Sequence, residues 1–136
     1  MADFAKALKQ GFEAVDVVWT ARLEIEDVFA RLSAAVLEVT DGKVRLELRE
    51  ASGLAALLPE RGGDILEAVG ANERKPLAVV RQSNAGYPVS VQPAGAKTGY
   101  VAGNREELEG ALAELLKDVR IAERIKSLAA EPDEKG

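Results

Sequence analysis

Cysteine and histidine are both absent from the 136-residue sequence. Without cysteine the chain forms no disulfide, no thiolate nucleophile and no zinc ribbon. Without histidine it lacks the side chain that most often serves as a general base near neutral pH and that most often binds zinc, copper or iron. These absences exclude catalytic triads and zincin-type sites, and we expect neither a metal nor another cofactor.

Long apolar runs are missing as well. No stretch approaches the roughly eighteen apolar residues of a membrane-spanning helix, and the first residues include acids, unlike a basic and then apolar signal peptide. The formal net charge of −5 disfavours binding to nucleic acids and anionic membranes, whose phosphates attract basic surfaces. We therefore expect a cytoplasmic protein that binds neither membranes nor nucleic acids, and an acidic surface that suits a basic protein partner.

What the sequence does contain is a heptad pattern at its N-terminal end. With Met1 as position a, eight of the ten a and d positions up to residue 32 are apolar, which predicts an amphipathic helix. As one helix, residues 3–34 would extend roughly 48 Å, whereas a compact domain of this size is only about 37 Å across. An unbroken helix would therefore extend beyond the globule with its apolar stripe exposed.

Two interpretations of this overlong helix stay open. In the first, the exposed stripe pairs two copies as a homodimer. In the second, Gly11 kinks the helix and both pieces pack on the chain's own sheet. The residues that would form the dimer interface are Leu8, Val15, Val18, Arg22 and Ile25.

Arg22 is the charged exception within the apolar seam. A dry and unpaired guanidinium would be costly, so we expect an ion pair with an acid such as Glu26 or with a second copy, or a side chain that extends past the seam to water. The functional alternative is a position that binds an anion or a protein partner.

Residues 35–50 favour a hairpin, because Asp41-Gly42 is a strong two-residue turn signal between alternating apolar and polar positions. Val39 would then lie opposite Val44. The rival interpretation continues the first helix to Thr40 and leaves only residues 43–50 as a strand.

Residues 51–103 are predicted to hold two short helices and three strands. The helices lie around 53–58 and 64–69, and the strands at 77–82, 87–92 and 100–102, with a hairpin loop of about four residues between the first two strands. Pro88 has no N–H for a ladder, so we expect its strand at a sheet edge or paired there through its other side.

The C-terminal region is predicted to be helical. Asn104 is a typical N-cap and Glu107 the acid of a capping box. An apolar face then continues to Ala129, with a short break at Asp118, and residues 131–136 are expected to be a disordered tail. The sequence thus predicts a single α+β domain over 1–130: a long N-terminal helix, an antiparallel sheet of about four strands from two hairpins, and a C-terminal helix or helix pair packed on the sheet.

The loop-rich centre is the predicted contact surface, since tyrosine and arginine are common binding anchors. Its residues are Arg74, Lys75, Arg81, Tyr87, Lys97 and Tyr100. No motif predicts catalysis, so we expect a non-enzymatic protein-binding module, of which an immunity or antitoxin-type inhibitor of a basic effector is one form. The alternatives are a homo-oligomeric structural or accessory subunit, and an enzyme that uses Ser, Tyr, Lys or carboxylates.

Overall fold

The computed structural model describes residues 2–50 and 63–131 and has an α+β architecture. Within those residues, helices pack against one face of a five-stranded antiparallel sheet. The helices are α1 (Phe4–Val39), α2 (Arg105–Lys117) and α3 (Val119–Ala129). The strands are β1 (Arg45–Glu50), β2 (Asp64–Val69), β3 (Arg74–Ser83), β4 (Gly86–Pro93) and β5 (Tyr100–Ala102). This confirms the predicted fold class, with five strands instead of about four.

The sheet is a meander in which every strand pairs with the next one along the chain. Its register places apolar residues on the face that the helices cover: Leu66 lies opposite Ala78, and Val80 opposite Val91. Those residues join helix side chains in one buried core. The opposite face carries ion pairs, including one of 2.9 Å between Arg49 and the buried Glu67.

The hairpin predicted for residues 35–50 is wrong, because helix α1 continues through the first half of that segment. Asp41 and Gly42 have positive φ angles of 55° and 78°. Instead of turning one strand into another, they end the helix, and the Gly42 N–H donates to the Leu37 carbonyl O at 2.7 Å. A left-handed residue after the last turn is a common way for a helix to end.

The rival interpretation of that segment, a helix to Thr40 followed by a strand, describes the structure. The heptad seam continues through Leu32 and Val36, which are both buried. Thr40 then joins the helix to the sheet: its Oγ1 donates to the Val36 carbonyl O at 2.7 Å and accepts from the Val44 N–H at 3.1 Å. Burial of the seam therefore outweighs the local turn signal.

Residues 64–69 were predicted as a short helix, and this is wrong because they form strand β2. Six residues between Gly63 and Gly70 are too few to bury a helical face, whereas β2 is paired along both edges, with β1 and with β3. The helix predicted around 53–58 lies outside the described residues.

The predicted strands at 77–82, 87–92 and 100–102 are confirmed as β3, β4 and β5, although only Asn84 and Ala85 separate the first two. The expectation that Pro88 lies at a sheet edge is wrong, because β4 lies between β3 and β5. Ser83 pairs with Gly86, and the next paired residues are Gln82 and Val89. Pro88 therefore lies in an irregularity of the ladder, where no N–H is required of it.

The predicted helix caps near the C-terminus are confirmed. Asn104 Oδ1 accepts from the Glu107 N–H at 2.9 Å, and Glu107 Oε1 accepts from the Gly103 N–H at 2.8 Å. Asp118 separates α2 from α3 and caps the latter through the Arg120 N–H. Of the predicted tail, Glu131 accepts from the Asn72 N–H at 3.3 Å, and residues 132–136 lie outside the described residues.

Candidate functional site

Helix α1 runs unbroken through Gly11 but is buried only in its second half. Its buried residues start at Ile25, whereas every residue from 2 to 17 is exposed. We call residues 4–20 the arm; at about 1.5 Å per residue it is roughly 25 Å long. The kink at Gly11, with both pieces packed on the sheet, is therefore not what the structure shows.

The arm has one strongly apolar face. At 100° per residue, five large side chains fall within an arc of about 80°. They are Phe4, Leu8, Phe12, Val15 and Trp19, which we call the apolar arm face. Phe4 is 80% exposed, and Phe12 and Trp19 about 60%. Of the charged residues, Lys9 and Asp16 border this face, and Lys6 and Glu13 lie on the other side of the helix.

The apolar arm face is not a plain extension of the stripe that docks on the sheet. A heptad repeat on a straight helix drifts by about 20° per heptad, so over the three heptads from Ile25 back to Phe4 the stripe turns by about 60°. A partner that follows this face must coil around the arm, which is how a second helix packs against a heptad seam.

The turn between β3 and β4 contacts α1 where the arm leaves the rest of the fold, which we call the body. Arg22 Nη2 donates to the Asn84 carbonyl O at 3.1 Å. Gly86 has a φ of 97°, and a Cβ there would lie 2.9 Å from the Ala21 Cβ, so only glycine permits this close approach. The arm thus starts from a rigid base.

Two further contacts hold the next turn of α1. The Tyr87 hydroxyl donates to Glu24 Oε1 at 3.1 Å, and burial, followed by this bond to a carboxylate, raises the pKa of Tyr87 to about 12. Asp27 forms ion pairs with Arg105 at 2.5 Å and Arg31 at 3.2 Å. The bond from Arg105 holds the pKa of the Asp27 carboxyl below its usual value.

The predicted interface residues divide between these two regions. Leu8, Val15 and Val18 lie on the arm, whereas Ile25 is 1% exposed and belongs to the core. Arg22 lies at the boundary. In the part of the chain that the structure describes, it bonds to the Asn84 carbonyl and forms no ion pair with Glu26.

Phe12 and Trp19 are missing from the predicted interface, although they are among its most exposed apolar side chains. Both occupy position e of the heptad, where they widen the apolar stripe in the sequence, but the predicted interface takes only positions a and d. Their seven-residue spacing is the signal in the sequence, because an apolar e position widens a two-residue seam into the face of a helix that packs in a bundle.

The six residues of the predicted loop-rich contact surface do not come together. Neighbouring positions on a strand point to opposite faces, and so Arg74 pairs with Glu47 on the open face while Lys75 donates to Ser127 Oγ of α3. The remaining four are also dispersed. Tyr87 contacts α1, Arg81 is exposed on β3, Lys97 is exposed between β4 and β5, and Tyr100 begins β5.

The described residues hold no group of three or more acids that could bind a metal ion, and no helix among them is long and apolar enough to cross a membrane. An apolar groove of about 420 Å³ lies between the end of α1 and α3, lined by Val36, Val39 and Ile125 among others. Comparisons of the chain with protein-family models, curated proteins and solved structures find no significant match.

Proposed function

We propose that the chain is a non-catalytic protein-binding module whose contact surface is the apolar arm face. The observation that carries this proposal is the exposure of three aromatic rings on one side of a helix that extends from the body. Rings of this size present 150–250 Å² each when bare, so the face exposes on the order of 500 Å² of apolar surface. Patches of that size, with charged residues alongside, typically mark interaction sites.

The arm also has features that suit binding. Its base is held by the β3–β4 turn through Arg22 and Ala21, so the face is presented on a regular element in a defined direction. A partner that binds it orders few additional residues, which lowers the entropic cost of association.

Val15 and Val17 provide a matched pair of variants to test the proposal. They are the same residue type two positions apart, both exposed, but Val15 lies on the apolar arm face and Val17 on the far side. A tagged full-length chain with Val15→Asp is expected to lose a stoichiometric protein that the parent captures, whether that protein is another molecule or a second copy. Val17→Asp should retain it, and equal capture by the two variants would refute the proposal.

The inhibitor of a basic effector remains a narrower form of this proposal, supported by the net charge of −5. Charge-steered binding slows steeply as salt is added, whereas apolar contact does not. An association rate that falls at least tenfold between about 0.02 and 0.5 M salt would support the inhibitor form. An association rate that does not change with salt would mean that apolar contact through the arm face explains the binding without charge steering.

A further inference from the structure

We propose that the arms of two copies pair antiparallel about a two-fold axis, so that the occupant of the apolar arm face is a second copy of this chain. This inference rests on the proposed function, because it names the partner of the same surface. An isologous pairing of this kind closes on itself and buries the same face on both copies.

The charges along the arm favour the antiparallel direction. Lys6 and Lys9 lie in its first half, and Glu13 and Asp16 in its second half. Lys9 and Asp16 border the apolar arm face on the same flank, whereas Lys6 and Glu13 lie on its far side. An antiparallel pair brings that flank of one copy beside the same flank of the other, which places Lys9 beside Asp16 of the second copy. It also opposes the helix dipoles and keeps apart two bodies that carry like net charge.

The heptad positions give the register. In an antiparallel pair, position a of one helix faces position d of the other, and an overlap of residues 4–22 of the two copies places Leu8 against Val18 of the second copy. Gly11 then faces Val15 of the second copy. Gly11 has no side chain to oppose this valine, and in a single copy a Cβ there would meet nothing within 4 Å.

The same register gives Arg22 a role. Arg22 of each copy faces Phe4 of the other copy, so that this contact occurs once at each end of the overlap. A guanidinium over an aromatic ring makes a favourable cation–π contact, and Arg22 is already oriented by its bond to the Asn84 carbonyl. The charged interruption of the seam therefore marks the point at which the paired arms end.

The area supports a dimer of moderate affinity. Two faces of about 500 Å² remove roughly 1,000 Å² of apolar surface from water, and the polar atoms beside them bring the interface to the lower end of the 1,200–2,000 Å² of stable complexes. Interfaces at that lower end include weak and transient complexes, so we expect an association that can be followed between about 1 and 100 µM.

Sedimentation equilibrium between about 1 and 100 µM tests self-association. The parent chain is expected to approach twice its mass of 14.5 kDa, as is Val17→Asp. Val15→Asp should weaken association more than about a hundredfold, because an aspartate in the seam would be buried without a partner. A growing series of masses would instead indicate head-to-tail insertion of the arm into the groove between α1 and α3, and would overturn the two-fold pairing.

Orientation is tested by cysteines, because the chain has none of its own. Leu8→Cys and Val18→Cys, each shown to be a dimer when reduced, are mixed and oxidised with diamide. The antiparallel register predicts a disulfide between the two different variants and little within either one. Self-linked Leu8→Cys dimers would show a parallel pair and refute the proposal.

The two proposals fail in different ways. If the purified chain is monomeric at about 100 µM, the homodimer is refuted. The binding function then still stands if Val15→Asp, but not Val17→Asp, loses capture of another protein. If the two variants also behave alike in capture, both proposals are refuted.

Discussion

The two halves of helix α1 share one heptad pattern but have opposite environments. From Ile25 onwards the seam is buried against the sheet and α2, whereas from Phe4 to Trp19 it faces water. Within the described residues, the sheet and the C-terminal helices cover only the second half. Periodicity therefore predicts which side of a helix is apolar, but not which surface covers it.

Shortening one buried and one exposed side chain of α1 should distinguish its two halves most strongly. Ile25→Ala should lower the free energy of unfolding by about 2–5 kcal/mol, because it leaves a cavity in the core. Leu8→Ala should leave the free energy of unfolding nearly unchanged at a protein concentration of about 1 µM, where the arm has no partner. Urea unfolding of both variants at this concentration is the measurement, and equal losses would show that the arm is packed in the single chain.

The contact at the boundary between the halves gives a pH dependence. Because the pKa of Tyr87 is raised from 10.0 to about 12, the folded state favours the neutral phenol over the range in which the unfolded chain ionises. Its contribution is complete below pH 10 and is lost as the pH rises to about 12. The free energy of unfolding should therefore fall across that window.

Tyr87→Phe is the control for this pH dependence. Loss of the bond to Glu24 should cost about 1 kcal/mol near neutral pH, and the decline above pH 10 should become shallower. Thermal unfolding monitored by circular dichroism at a series of pH values measures both effects. If the free energy of unfolding of Tyr87→Phe falls above pH 10 with the same slope as that of the parent, Tyr87 is not the cause of the fall.

Two glycine substitutions distinguish the halves by a smaller amount. Gly110 and Gly11 both lie in helix interiors, and a Cβ at either meets nothing within 4 Å. Gly110→Ala, in the packed helix α2, should raise the free energy of unfolding by about 0.5–1 kcal/mol. Gly11→Ala should increase the helicity of the arm, measured by circular dichroism, with little change in the free energy of unfolding. An equal rise of the free energy of unfolding in both variants would contradict the view that the arm is separate from the packed fold.

Much of the fold could be predicted from local signals. The cap at Asn104, the break at Asp118, the hairpin of β3 and β4, and strand β5 depend on contacts between residues close in sequence, which turn and cap preferences describe directly.

The errors in the fold arise where a tertiary contact overrides a local signal. Asp41-Gly42 can end a helix as well as turn a hairpin, and burial of Val36 on the sheet decides between them. Strand β2 is stabilised by neighbours on both sides, which its six residues do not specify.

The candidate site could be predicted in part. Length alone indicated that the helix would exceed the body, and the positions of Leu8 and Val15 followed from the heptad. The end of burial near Ile25 could not be predicted, because it depends on how far the β3–β4 turn reaches along α1, and that reach is set by the close approach of Gly86 to Ala21.

The most direct test of the arm as a contact surface uses Trp19, the single tryptophan of the chain. It lies on the apolar arm face and is 61% exposed. Its emission should move to shorter wavelength as the protein is concentrated from about 1 to 100 µM, in the parent and in Val17→Asp but not in Val15→Asp. Emission that stays at the wavelength of a water-exposed indole at every concentration would contradict the pairing of two arms.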